Sequence, residues 1–410
     1  MTKRIMWFEV TEPSGYRNSS SVIAGWQDSL EKIIVSEDIE LIVAFEDKTG
    51  KLEVKKKENV TYVPISIHLS LIDCIASRFS WNPAKRKVLK NVPAIIEQYK
   101  PDLIQVFGTE WPFGLIAEFT EVPVVVHIQG SMVPYNNAYY PPNYSLSSQL
   151  LYLFPNLKKM FRVLCDYYKT NSREQIERQV WSVVKYYMGR TEWDSALARV
   201  MHRDCVYFHV EEALRPCFLS MSGRWTPSKK MKLISTGCSS FWKGPEMMLK
   251  TAKILKEMGL DFEWIVAGNM PAYLKKYVER KEKATFAQNN VKLIGFVDAE
   301  SLIEKLIEST CYVHTAYVEN SPNSICEAQV LGVPVVSTNV GGISTLLDGY
   351  ENSIMVPAND PWQMAYAIVQ VYENSARKSP SNEMALLRHS PENIKRELLN
   401  AYRSIAGQVR

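Results

Sequence analysis

Short apolar runs rich in Val, Ile, Phe and Tyr recur along the chain, and the stretches between them carry apolar residues at helical spacing. In the first half the runs cover 5–10, 39–45, 62–67, 103–107, 122–128, 186–189 and 205–210. In the second half they cover 231–235, 262–267, 291–296, 311–316, 333–337 and 353–356. Most are continuous and not alternating, which is how strands buried on both faces of a parallel sheet read. Between them, Met248, Ala252, Leu255 and Met258 mark one face of a helix that Gly259 closes. Strands alternating with helices predict doubly wound α/β sheets.

The stretch 211–230 interrupts this rhythm. It carries Pro216, Gly223 and Pro227 with few periodic apolar residues, and a strand-like run follows directly. The pattern predicts an N-terminal domain over 1–212, a second domain over 213–390, and a closing helix, 391–410, packed back on the first. Ligands of doubly wound sheets bind beyond the carboxyl ends of the strands, so two facing domains predict a site in the cleft between them. The stretch 147–185 stands apart. Leu150, Phe154, Leu157, Phe161, Leu164 and Tyr168 form an apolar stripe, and 151–190 holds eight basic and three acidic residues. Two readings fit it: a helix packed on its own sheet with a solvated basic back, or an amphipathic helix at 150–169 lying on an anionic membrane.

Composition narrows the function. The chain has 410 residues, 46% of them hydrophobic and 22% charged, which fits a folded protein of roughly two to three domains. A formal net charge of +4 is too small to argue for a nucleic-acid partner. Seven cysteines, an odd number without a C-x-x-C, predict neither a zinc site nor a disulfide framework, and a reducing cytoplasm suits them. No apolar run nears the ~20 residues of a membrane span, and no signal-peptide core follows Met1. The expectation is a cytoplasmic protein, peripheral at most at the inner membrane surface.

Candidate chemistry concentrates in 311–342, CYVHTAYVENSPNSICEAQVLGVPVVSTNVGG. Ser321 followed by Pro322 reads as an N-cap and first helical residue, and Gly332 closes that helix. Free N–H groups at its start, at the carboxyl edge of a sheet, suit an anion, and a pyrophosphate is the natural one. Glu327 shares a helix face with Asn323 and Ser324, where a carboxylate can take two ribose hydroxyls. Glu110/Glu118 and Glu300/Glu308 repeat the same E-x7-E interval. What sets Glu319/Glu327 apart is the sequence of strand, turn, capped helix, G-x-P-V-V and Gly341-Gly342.

This stretch resembles the E-x7-E region of the family 4 retaining glycosyltransferases. The upstream Ser235-Thr236-Gly237…Lys243-Gly244 resembles that family's G-R-x-x-x-x-K-G loop. The resemblance covers most of 231–375 strongly and the first half weakly. It implies the GT-B fold, two Rossmann-like doubly wound parallel-sheet domains facing across a cleft, with 1–212 on the acceptor side and 213–390 binding the nucleotide-sugar. It also implies metal-independent transfer of a hexose, with retention, from a nucleotide-sugar to a hydroxyl of a glycan or lipid-linked acceptor, in polysaccharide or glycoconjugate assembly. No cofactor is implied, and the sequence contains no D-x-D. By the same resemblance Glu319 sits by the donor sugar, Glu327 on the ribose and Lys243 on the diphosphate. Asn320, Ser321, Asn323, Ser324, Gly237 and Ser239 complete the donor's surroundings, His127 lies near the sugar, and Gly15 lies beside the diphosphate.

Where the family loop has an Arg five residues before the Lys, this chain has Cys238. The leaving group's charge then calls for another cation. Arg190, between the run 186–189 and a helix capped by Thr191, is the first choice, and Arg17 the second. Two rival functions stand beside transfer: a GT-B nucleotide-sugar epimerase or hydrolase, and a non-catalytic nucleotide-sugar-binding subunit.

Overall fold

The computed structural model describes residues 3–16, 26–35, 38–374 and 382–408. Each apolar run of the sequence is a strand in it. The first eight strands are β1 (Lys3–Glu9), β2 (Ile39–Asp47), β3 (Lys55–Lys57), β4 (Val60–Ser66), β5 (Leu103–Phe107), β6 (Val124–His127), β7 (Tyr186–Gly189) and β8 (Val206–His209). They form one sheet in the order β3-β4-β2-β1-β5-β6-β7-β8, parallel except where β3 runs antiparallel to β4. No apolar run announced β3. It is three exposed lysines, and charge of that kind protects a sheet edge from pairing with another chain.

Alternate residues of β1 explain why its run is continuous. Ile5 and Trp7 enter one apolar layer of this unit, and Met6 and Phe8 enter the layer on the other face. The terminal helix Pro391–Gln408 supplies Ile394, Leu398, Tyr402 and Ile405 to the first layer. Trp7 Nε1 donates to Tyr402 Oη at 2.9 Å, so the buried indole N–H is satisfied by that helix.

The remaining strands are β9 (Met231–Thr236), β10 (Phe262–Ala267), β11 (Val291–Gly295), β12 (Cys311–His314), β13 (Val335–Thr338) and β14 (Ser353–Val356). They form a wholly parallel sheet ordered β11-β10-β9-β12-β13-β14. The chain winds outward from β9 to β11, then returns to β12 on β9's other side. The strand order reverses at β9, and at such a point ligands of open α/β sheets bind beyond the carboxyl ends of the strands. Leu233, Trp264, Val266, Val313 and Val336 pack in the core with Met248, Ala252 and Leu255 of the helix Pro245–Glu257.

Two compact units result: Met1–Asn136 with Asn156–Arg215 and His389–Arg410, and Asn137–Pro155 with Pro216–Arg388. The junctions lie within three residues of 212/213 and 390/391. The excursion 137–155, which the sequence placed in the first domain, groups with the second unit. Its aromatic residues are the reason. Tyr140 and Tyr144 pack on Phe241 at 5.2 and 5.8 Å between ring centroids, and Tyr152 packs on Tyr277 at 4.8 Å.

The apolar stripe of 150–168 is not one helix. Leu146–Leu153 and Leu157–Val183 are separate helices, and the longer one buries Cys165, Ile176, Val180 and Trp181, further along the chain. Leu157, Phe161 and Tyr168 are exposed. No helix of the described residues is long and apolar enough to cross a membrane.

Candidate functional site

At the carboxyl ends of the neighbouring strands β9 and β12, two loops lock onto each other. After β9 the chain turns through Gly237, Cys238, Ser239 and Ser240, makes one tight turn at Phe241–Lys243, and enters the helix Pro245–Glu257. After β12, residues 315–322 lead into the helix Asn323–Leu331, whose N-cap is Pro322 and not Ser321; no side chain caps it. Thr315 Oγ1 donates to the Lys243 carbonyl at 2.9 Å, and the Tyr317 N–H donates to the Trp242 carbonyl at 2.7 Å. A third loop supports the turn at Glu319. The Gly342 N–H reaches the Glu319 and Asn320 carbonyls at 3.2 and 3.1 Å, and a Cβ on Gly341 would fall 1.7 Å from the Glu319 carbonyl oxygen. Only glycine permits that approach.

Charge is concentrated on one oxygen. Lys243 Nζ donates to Glu319 Oε2, and His314 Nε2 lies 3.6 Å from the same atom. Burial alone would raise the Glu319 pKa, but the Lys243 charge outweighs it and the carboxyl is held at about 2. Burial also works against the Lys243 ammonium, yet the Glu319 carboxylate keeps its pKa above the usual lysine value. Burial lowers the pKa of His314, with Glu319 opposing that trend. At neutral pH the cluster is an ammonium, a carboxylate and an uncharged imidazole.

Polar groups surround the cluster. Tyr312 Oη bridges Thr236 Oγ1 and Ser324 Oγ, both at 2.8 Å. Asn320 is 1% exposed, and neither polar atom of its amide has a hydrogen-bond partner among the described residues. Such a group is expected to have a partner unless a ligand supplies one. Glu327 is buried in the second turn of its helix. Glu246, just past Gly244, takes a hydrogen bond from the Tyr317 hydroxyl, and burial pushes its pKa to about 7.

The structure therefore brings Lys243, Glu319, Asn320 and Ser324 together, with Gly237 and Ser239 exposed on the β9 loop. Cys238 is different. Its side chain belongs to the core, and burial, followed by the Glu246 charge, pushes the thiol to about 12. An arginine side chain in that orientation would enter the core, so Cys238 is not an emptied place for a cation beside a ligand.

The other named residues lie in the first unit. His127 ends β6 in an aromatic nest of Trp26 and Phe107, with ring centroids at 5.0 and 6.1 Å. Burial first, then the Arg190 charge, lower its pKa to about 3. It is a neutral imidazole throughout the physiological range.

Arg190 is not an open cation. It is 1% exposed and faces Glu212 at 3.4 Å, so its charge is already balanced. Neither does Gly189 reserve room for a ligand, because a Cβ there would strike Asp194 at 2.8 Å and Tyr207 Oη at 2.9 Å. Thr191 caps the following helix in a reciprocal box with Asp194. At Gly15 a Cβ would fall 1.9 Å from Tyr62 Oη; its bareness admits Tyr62, which donates to Glu31 at 2.6 Å. Arg17 lies outside the described residues. Among those residues no group of three or more His, Cys, Asp or Glu is placed to hold a metal ion.

The sequence reading missed His314 and Glu246. Extending the strand to 316 placed His314 inside it, whereas it is the last strand residue and stands where His127 stands in β6.

Residues 231–374 match the family described as Glycosyl transferases group 1. The 2-deoxystreptamine N-acetyl-D-glucosaminyltransferase of Niallia circulans is 27% identical over 154 residues, 36% of this chain and 37% of that one. The chain thus spans little more than a third of the curated relatives it matches. Whole-chain likeness is seen in structures. Anabaena Alr3699/HepE, solved in complex with UDP and glucose, aligns over 98% of this chain and 99% of its own with a TM-score of 0.63 and 15% identity. The alpha,alpha-trehalose 6-phosphate synthase from Burkholderia multivorans aligns over 100% of both chains with a TM-score of 0.67 and 10% identity. The fold is GT-B, two Rossmann-like α/β units in one chain.

Proposed function

We propose, from the membership of residues 231–374 in the Glycosyl transferases group 1 family, that this protein moves a hexose from a nucleotide-sugar to a hydroxyl of a glycan or lipid-linked acceptor. The transfer proceeds with retention and needs no metal or other cofactor. The observation that carries this reading is the Lys243–Glu319 pair at the carboxyl ends of β9 and β12, where doubly wound sheets take their ligands.

In this mechanism the donor's diphosphate replaces Glu319 as the partner of Lys243. The diphosphate also accepts from the first N–H groups of the helix Asn323–Leu331. Glu327 takes the ribose hydroxyls, and the unpartnered amide of Asn320 meets the donor. Glu319, released from Lys243, faces the sugar and stabilises positive charge as the bond to the diphosphate breaks. An acceptor hydroxyl forms the new bond on the same face, and its proton leaves with the diphosphate. With Cys238 in the core and Arg190 balanced by Glu212, Lys243 and the helix start carry the leaving group. The nucleotides bound by HepE and the family of residues 231–374 support a nucleoside diphosphate ligand.

The acceptor reading has support in the first unit. Exposed Leu157, Phe161 and Tyr168 alternate with exposed Lys158, Lys159 and Arg162, and Phe161 meets Phe79 at 5.7 Å. Leu71, Ile72 and Ile75, on a short helix near Phe79 in sequence, are also exposed. Apolar side chains interleaved with basic ones suit an anionic membrane surface, so the 150–169 segment is assigned peripheral contact there.

A thermal-shift panel of UDP, GDP, ADP and CDP, followed by sugar transfer from the matching labelled donors, tests the function. Transfer to an acceptor supports it. Donor turnover without acceptor favours an epimerase or hydrolase. Binding without turnover favours the non-catalytic subunit.

A further inference from the structure

His314 is the third charge-capable group at Glu319, and the hydrogen bonding around it decides its tautomer. The Ser337 hydroxyl donates to the Thr338 carbonyl at 3.0 Å. Its oxygen is therefore left to accept from His314 Nδ1, 3.3 Å away. That contact puts the single proton of the neutral ring on Nδ1. Nε2 then turns a lone pair toward Glu319 Oε2 at 3.6 Å. Two electron-rich atoms face each other there, and only protonation of Nε2 makes the contact attractive.

While Lys243 holds Glu319, that proton is not needed. The ammonium balances the carboxylate, and it also disfavours a second cation alongside. Lys243 and Glu319 are the charged groups facing the ring. Its other neighbours, Ser337 and the Tyr312 ring with a centroid 6.4 Å away, are neutral. If a ligand draws Lys243 off, Glu319 is left as a buried carboxylate without its counter-ion, a costly state. Among the described residues, His314 is the neighbour able to supply the missing charge.

We propose that His314 takes up a proton when a diphosphate draws Lys243 away from Glu319, so that nucleotide binding at the carboxyl ends of β9 and β12 is coupled to protonation. His314 is a positioning residue in this scheme, since it touches Glu319 and not the donor. It keeps Glu319 ionised and oriented after Lys243 has left. Because the bound state holds more protons, affinity rises as pH falls through the window between the His314 pKa values of the free and bound protein. The coupling rests on the reading of Lys243 as the diphosphate's ligand.

Two experiments test it, one without nucleotide. In Lys243→Met the ammonium is removed as a diphosphate would remove it, and the His314 imidazole, followed by 15N NMR, should titrate at least about one pH unit above its value in the parent. An unchanged titration overturns the proposal. In the second, the nucleoside diphosphate that gives the largest thermal shift is titrated by calorimetry at pH 7 in buffers of different ionisation enthalpy. The parent should take up a sizeable fraction of a proton more than His314→Gln, whose amide can donate to Glu319 at any pH. Equal uptake by the two also overturns it. Failure of every nucleotide to bind removes the reading of Lys243, whereas the NMR result judges the link between Lys243 and His314 separately.

Discussion

Replacing Glu319 with Gln removes the charge that Lys243 and His314 surround while keeping the side chain's shape. The drop of its pKa from 4.5 to about 2 corresponds to on the order of 3 kcal/mol. An exposed pair would contribute no more than about 1 kcal/mol, but Glu319 is 7% exposed, so solvent does little to screen it. The folded pKa lies below the unfolded one. Stabilisation is therefore complete above pH 4.5 and is lost as pH falls toward 2. The parent should exceed Glu319→Gln by on the order of 3 kcal/mol at pH 7, hold that margin to about pH 5, and lose about 1.4 kcal/mol per pH unit below it. Urea unfolding of the full chain between pH 3.5 and 7 measures the margin. Hydrogen exchange of the β12 and β13 amides reports the second unit separately, because two cores need not unfold in one step. A margin below about 1 kcal/mol at pH 7, or one that survives acidification, would refute the account of this cluster.

Glu327→Ala should weaken nucleotide binding by about 1.5–3 kcal/mol, the range for hydrogen bonds to a charged group, whereas Glu319→Ala should depress turnover more than affinity; calorimetry and initial rates separate the two. Gly341→Ala drives a Cβ onto the Glu319 carbonyl at a φ of +54°, so it should cost more than about 1 kcal/mol, and an unchanged Tm would contradict the close approach of those loops. Transfer should survive excess EDTA, and a strict need for added magnesium or manganese would contradict the assignment of the leaving group to Lys243 and the helix start. Reversing Lys158, Lys159 and Arg162 to Glu should abolish salt-sensitive binding to anionic vesicles without changing nucleotide affinity, as sedimentation with vesicles would show.

The strands were legible because both sheet faces are buried, which makes a residue such as Met6 or Trp7 apolar whichever way it points. β3 was not legible, since three lysines carry no apolar signal and pair along the edge of β4. The Glu319–Glu327 stretch could be read because turn, helix start and glycine pair are local features. What surrounds it comes from distant chain. His314 acquires its importance from Ser337 and Glu319, neither of which a periodic pattern connects to it. Gly15, Gly189 and Cys238 misled for a related reason. A glycine says that something comes close, and only the fold shows that this is Tyr62 at Gly15 and Asp194 at Gly189. A cysteine at a loop position looks like a lost arginine until the core is seen to need it.

The excursion 137–155 has a practical side for anyone dissecting the gene. The chain passes from one unit to the other four times, so no single cut yields the half that bears Lys243 and Glu319. A clone starting at Pro216 would lack Tyr140, Tyr144 and Tyr152, and it would also lose the Tyr144 hydroxyl's bond to Glu282 and the Ser148 bond to Tyr277. Phe241, two positions before Lys243, would then lose the Tyr140 and Tyr144 rings that pack against it. The second unit is thus encoded partly ahead of Pro216. An isolated fragment that carries the family signature intact would still present its lysine on a loosened turn.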